Sequence, residues 1–368
     1  MRVSVEIASP AGVRLTPVEK MVSLEWQRVV NGVGWFELVL PGEFDESLLL
    51  PDAQIIISVQ PLGGVKGVDF VGMVRALSFE TDDNGVDIIT VAGPDANELF
   101  KRRIVAYYAG SPYSTKTDQS DDLLRALALE NMGGSAVNTA RNMSAAGLSF
   151  AGEQSAGASV LFSCAWDELD GAIDDLVKAA AGGGTPIYWE IKPEADGSFK
   201  LYTYTGQPGL DRTSGNEVVF GMEWGNLSQP KLVLDYTEEV TYVYAGGANE
   251  GADRIIVEVE STARSSRSPW GRREAFVNAS GEASTAALTA LANARLEAGR
   301  PRLRFSGYLM DTEQAVYGKD WGLGDRVNVS YRHKQYPVLI VATQGQVDAS
   351  GKNTIKAFCE LADAIEGA

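Results

Sequence analysis

Apolar residues recur at every second position through much of the first hundred residues, the mark of strands with one buried face. Residues 22–30 (VSLEWQRVV) and 35–41 (WFELVLP) flank the turn sequence NGVG and predict a hairpin. In the second run Phe36, Leu38 and Leu40 share one face, while Trp35, Glu37 and Val39 share the other. Residues 54–60 (QIIISVQ) are apolar almost throughout and predict a strand buried on both sides. Residues 70–80 and 86–93, joined by TDDNG, predict a second hairpin. PDANELFKRR then predicts a short helix with Asp95 as N-cap and a cationic end at residues 101–103.

The period changes in the middle of the chain. Residues 120–134 begin with acids and stop at glycine, and residues 166–184 place Leu169, Ile173, Leu176 and Val177 on one face; both predict helices. The Ala-, Gly-, Ser- and Asn-rich stretch 135–159 between them predicts an irregular loop. PIYWEIK and SFKLYTYT predict two strands joined by a PEADG turn. Strands return in KLVLDY, EVTYVYA, RIIVEVE, LRFSGYL, RVNVSY, PVLIVATQGQV and NTIKAFCEL. One helix interrupts them at 284–299, with Ser284 as N-cap and Gly299 as the glycine beyond its end.

The last third echoes the first. Residues 71–93 and 337–359 are each a long apolar strand, a D-x-x-G turn and an alternating strand. Asp82 and Gly85 stand to Asp348 and Gly351 at one spacing (348 − 82 = 351 − 85 = 266). Upstream, LLPDAQIIISV is similar to WGLGDRVNVSY, and SLEW (23–26) to VLDY (233–236). Four blocks in the same order point to duplication of one small β unit.

The 368 residues suggest two or three domains, and 39 glycines among short strands favour a turn-rich β architecture. The net charge of −17 disfavours sequence-independent binding to nucleic acid. Cys164 and Cys359 are expected to be free thiols. The start of the chain lacks the apolar core of a signal peptide, and no run is long enough to span a membrane.

Candidate chemistry is thin. The one histidine, His333, lies in a charged turn with no nucleophile beside it. AGGGTP lacks the lysine of a phosphate-binding loop, and TDDNG lacks the glutamate of an EF-hand. Asp167, Asp170 and Asp174 share one helix face, the spacing a glycosidase pair could use, but a solvated acidic face explains them as well. No catalytic, cofactor or metal site is expected. Two stretches are candidates for interaction instead. STARSSRSPWGRR (261–273) carries Arg264, Arg267, Trp270, Arg272 and Arg273 and no acid, the composition of a partner interface. The segment 209–229 carries Asp211, Arg212, Trp224 and Asn226 among glycines and reads as an interdomain joint. There Trp224 is expected to be buried, Asn226 to bond the turned backbone, and Asp211 and Arg212 to pair.

Four loose motifs in order carry a family resemblance: W-x-R…F-E-L-x-L-P (26–41), V-x-G…L-F-x-R-R (91–103), G-x-D-R-T-S…G-N-L (209–227) and W-x-L-G-D-R-V-x-V (321–329). Together they resemble the tail hub proteins of long-tailed bacteriophages, including the siphophage Gp37-like family and the hub modules that begin tail-associated lysins. The resemblance implies a β-rich α+β fold with two tube-protein-like β-barrels and α+β insertions. It divides the chain into a first barrel (1–106), a middle α+β domain (107–229) and a second barrel (230–368) with an insertion at about 249–300. It also implies a homotrimeric ring at the distal tip of a virion tail, assembled in the host cytoplasm. Such a ring would match a hexameric distal tail protein or tail tube to a threefold central fibre or spike. A tape measure protein would be a further partner, and DNA would be only passing cargo, without integral membrane association. A peptidoglycan hydrolase and a receptor- or carbohydrate-binding tail protein are the alternatives.

Overall fold

The computed structural model describes residues 1–81, 85–106, 114–136, 138–309, 312 and 315–361. The N-terminal part contains β1 (Arg2–Ala8), β2 (Arg14–Pro17), β3 (Ser23–Val29), β4 (Trp35–Pro41), β5 (Gln54–Gln60), β6 (Gly67–Met73), β7 (Ala76–Thr81) and β8 (Asp87–Pro94). A 3-10 helix, Ala96–Arg102, follows, and the Asp95 side chain caps it by accepting from the Asn97 amide. The middle holds β9 (Ser114–Gln119), helix α1 (Ser120–Met132), β10 (Leu148–Phe150), β11 (Ser159–Cys164), helix α2 (Leu169–Gly182), β12 (Ile187–Pro193) and β13 (Phe199–Thr205). The remainder holds β14 (Val219–Phe220), β15 (Leu227–Asp235), β16 (Tyr242–Gly246), β17 (Ile256–Glu260), a one-turn helix α3 (Thr262–Ser265), β18 (Glu274–Asn278), helix α4 (Thr285–Ala298), β19 (Arg302–Leu309), β20 (Arg326–Tyr331), β21 (Lys334–Val347) and β22 (Asn353–Leu361).

The expected patterns hold in most strands. Phe36, Leu38 and Leu40 are buried, and so is every residue of β5 except Gln60. The predicted strand 70–80 is broken. It runs in a four-stranded sheet as β6, turns at Val74–Arg75, and continues as β7 in another sheet. The turn is forced where Gly93 lies against the Met73 carbonyl; a Cβ there would overlap that oxygen. Gly299 ends α4 without a positive φ, at φ −91; it is small because the Val240 side chain packs on it. Strands β9, β10, β11 and β18 were not expected, since their runs are short; β10 lies within the stretch 135–159 expected to be an irregular loop and pairs with β13.

The echo is present in the pairing. In the first part β5 pairs with β6, β7 with β8, β8 with β4 and β4 with β3. In the last part β20 pairs with β21, β21 with β22, β22 with β19 and β19 with β15. The registers agree over most of their length: Gln54 faces Met73 as Arg326 faces Leu339, and Thr81 faces Asp87 as Val347 faces Asn353, while the β5–β6 pair carries a bulge at Ile57–Ser58 that β20–β21 lacks. The corner repeats too. Asp52 N–H donates to the Val74 carbonyl and Val74 N–H to the Ala53 carbonyl, each at 2.9 Å. Gly324 N–H donates to Ile340 and Ile340 N–H to Asp325, also at 2.9 Å. Gly85 and Gly351 both sit at φ +79; Asp82 lies outside the described residues. The fourth block is out of step, because Trp26 faces Phe36 while Leu232, not Tyr236, faces the matching Phe305.

Neither meander closes into a barrel among the described residues. They join edge to edge through β21 and β3, giving the order β15-β19-β22-β21-β3-β4-β8-β7 in a ten-stranded sheet that also takes in β14 and β20. Both meanders bury one common core, from Trp26 and Phe36 to Phe220, Trp321 and Cys359. A second core lies between α1, α2, β12 and β13, and a third under α4 and β16. No described helix is long and apolar enough to cross a membrane.

Candidate functional site

Segment 209–229 packs against the Trp321–Val329 motif, so two of the four sequence motifs form one unit. Asp325 organises it. Its carboxylate accepts from Leu210 N–H at 2.7 Å, Arg212 Nε at 2.8 Å and Gly322 N–H at 3.0 Å. Arg212 therefore pairs with the buried Asp325 and not with its neighbour Asp211, which instead turns the chain by accepting from Thr213 N–H and Oγ1. Asn226 is buried and bonds the backbone as expected, accepting from Gly221 N–H at 2.9 Å and donating to the Val219 carbonyl at 2.7 Å. Gly225, at φ +68, supplies the left-handed bend. Trp224 is 50% exposed, contrary to the expected burial; the aromatic packing is done by Phe220 against Trp321, 5.2 Å apart.

The arginines of 261–273 are mostly engaged inside the chain. Arg264 is buried and donates to the Leu296 and Gly299 carbonyls at the end of α4, so it caps a helix. Arg267 lies 3.9 Å from Glu239. Arg272 pairs with Glu274, donates to the Tyr244 hydroxyl and stacks 3.5 Å over the Tyr242 ring. Arg273 donates to the Thr237 carbonyl. Trp270 alone projects, at 88% exposure. His333 is exposed on a tight turn at φ +63. Cys164 and Cys359 are free and buried, and burial pushes the Cys359 thiol up to about 12. Burial raises the Asp170 and Asp174 carboxyls, and Lys101, 3.9 Å from Asp170, partly offsets the rise at both.

Sequence reasoning missed the polar junction that ties the three regions together. Arg28 donates to Asp69 at 3.2 Å and to Glu190 at 2.8 Å, and Lys192 lies 3.3 Å from Glu190. Trp26 Nε1 and the Tyr317 hydroxyl also donate to Asp69, each at 2.8 Å. Burial opposes the charge on Arg28, and Glu190 and Asp69 more than restore it. Asn31 and Asn97 add bonds to the β12 backbone at Trp189 and Ile191. Beside this junction burial pushes the Asp95 carboxyl up to about 7, against the Gly34 and Asn97 amides that donate to it. The one signal was the W-x-R motif, which contains both Trp26 and Arg28.

With this geometry in view, the sequence matches the family of Siphovirus ReqiPepy6 Gp37-like proteins over residues 4–359. The chain belongs to that family. Solved phage tail proteins share the fold. A prophage MuSo2 43 kDa tail protein from Shewanella oneidensis is similar at TM-score 0.63 and 10% identity, covering 98% of both chains. A tail protein from Neisseria meningitidis MC58 is similar at TM-score 0.61 and 13% identity, covering 98% of this chain and 97% of that one. Prophage tail protein gp18 from Listeria monocytogenes EGD-e gives TM-score 0.54 and 13% identity over 96% and 94%. No curated protein matches.

Proposed function

We propose that this tail protein is a structural hub at the distal tip of a phage tail, working as a homotrimeric ring. The observation that carries this reading is the repeated meander, with the same strand order, register and corner hydrogen bonds twice in one chain. Three chains then present six similar units, which sit against a hexameric tail ring while offering threefold symmetry to a central fibre or spike. The sheet ends support ring closure. Its outer strands β7 and β15 are unpaired on their far sides among the described residues. They carry exposed Leu77 and Phe79 at one end and Val233 and Leu234 at the other. Such unlike open edges suit head-to-tail strand addition between copies.

In this reading the acidic charge lets DNA pass the lumen without adhering, and the tape measure protein meets the same ring. The work is geometric, not catalytic. Native mass measurement of the purified chain and of the chain in assembled tails tests the proposal. The expected species has three times the 39.4 kDa chain mass. A chain that stays monomeric in both settings overturns it.

A further inference from the structure

A pocket of about 450 Å³ opens between the end of the 3-10 helix and the loop before β10, lined by Lys101, Arg102, Arg103, Ile104, Arg141 and Glu168. Four cations converge there in a chain of net charge −17. They are not equivalent. Arg102 is spent on Asp52, through bonds of 2.8 and 3.1 Å, and on Glu98 at 2.6 Å. Arg103 and Arg141 reach only neutral acceptors. Arg103 donates to the Arg102 carbonyl at 2.8 Å and, at 3.3 and 3.4 Å, to the Arg141 carbonyl. Arg141 donates to the Ile104 carbonyl and to the backbone and side-chain oxygens of Asn131. Among the described residues neither guanidinium has a carboxylate partner. Burial and the adjacent Arg141 and Arg102 charges all disfavour the charged form of Arg103.

The rim carries one large apolar side chain, Ile104, 45% exposed. Trp166, whose N–H donates to the Val105 carbonyl at 3.0 Å, is 61% exposed at φ +58, a backbone region that a bulky side chain rarely occupies. Glu168 is itself tied to Ile104 by an isolated backbone bridge, so the rim and the cationic wall are one piece.

We propose that this pocket is a docking site for an acidic peptide segment of a partner protein, whose carboxylates pair with Arg103 and Arg141 while an apolar side chain packs on Ile104. Two forked guanidiniums held by neutral carbonyls suit carboxylates. The exposed Ile104 in the lining favours a polypeptide, which brings apolar side chains as well as carboxylates, over a nucleic-acid backbone. The proposal goes beyond the ring reading and does not depend on stoichiometry.

The test titrates the full chain with a labelled peptide of alternating glutamate and leucine. Its glutamine counterpart and a labelled oligothymidine serve as comparisons. The glutamate peptide is expected to bind, and Arg103→Gln with Arg141→Gln to weaken it at least about tenfold. Arg103→Lys with Arg141→Lys keeps both charges but loses the forks and falls between the unaltered chain and the double glutamine variant, and Lys101→Gln, at an exposed position, lowers the affinity by a smaller factor without affecting folding. Absence of glutamate-peptide binding, equal binding of the glutamine peptide, tighter binding of the oligothymidine, or affinity unchanged in the double glutamine variant overturns the proposal.

Discussion

The corner at Val74–Arg75 and the bulge at Val341 are the same place in two copies of one meander, resolved differently. Arg75 and Val341 are the residues skipped by the ladder: Ala76 faces Ala92 on one side, and Ala342 faces Phe358 on the other. In the first copy the strand breaks, and β6 leaves with β5, β1 and β2. In the second copy β21 runs on for 14 residues through its bulge. The position opposite decides which. Gly93 admits the Met73 carbonyl where a Cβ would collide, whereas its counterpart Cys359 faces Ile340 with a buried side chain in place. One missing side chain thus turns a bulge into a corner between sheets.

The largest expected effect comes from undoing that difference. Gly93→Ala should destabilise by about 3 kcal/mol or more, since backbone must move. Cys359→Ala, at the matching position, should cost only about 1 kcal/mol. Urea unfolding of both variants checks this, and equal losses would mean that the corner is set elsewhere.

A second contrast lies one strand earlier. The corner bond accepted by Ala53 in the first copy is accepted by Asp325 in the second, where the added carboxylate also binds Arg212 and Leu210. Asp325→Ala installs the first copy's residue, leaves the half-buried Arg212 without its partner and removes the acceptor of the Leu210 and Gly322 amides. A loss of about 3 kcal/mol is expected. Calorimetric unfolding should show it, and a variant of unchanged stability would show that the packing of 209–229 on the Trp321–Val329 motif does not depend on this pair.

The first copy is followed by a carboxyl with a raised pKa. Asp95 titrates near 7 in the folded chain, above the ordinary 3.8, so between about pH 4 and 7 the folded state holds a proton that the unfolded state has lost. Its contribution is full below pH 4 and is lost as pH rises toward 7. Asp95→Asn keeps a capping oxygen and should flatten this slope when stability is measured across the range. The smallest effect on folding is expected from Phe79→Lys at the open edge, within about 0.5 kcal/mol. The same change should abolish trimer formation in native mass measurements; trimers that persist would remove β7 from the contact.

The fold was legible where burial follows a simple period. β4 and β5, helix α4 with its Ser284 cap, and the duplicated hairpins could be read directly, because alternation and D-x-x-G turns are local signals. The fusion of two meanders into one sheet was not legible, since pairing β21 with β3 depends on residues more than 300 positions apart. The candidate sites were read less well for a related reason. Arginine-rich composition in 261–273 cannot distinguish an exposed cation from Arg264, which spends its donors on the carbonyls of α4. The junction of Arg28, Asp69, Glu190 and Tyr317 is built from four separate segments, and only the one holding Arg28, in the W-x-R motif, stands out alone.

A ribbon whose first and last strands differ has a polarity, as an arrow does. Pro230 and Lys231 lie in β15 at one tip, and an almost uncharged strand, broken only by Glu80, forms the other. In the proposed ring, copies laid tip to tail would all circulate in one sense, and the collar would have a handedness fixed before any neighbour arrives. If the curvature per copy drifted from a third of a turn, the same chemistry would wind an endless spiral.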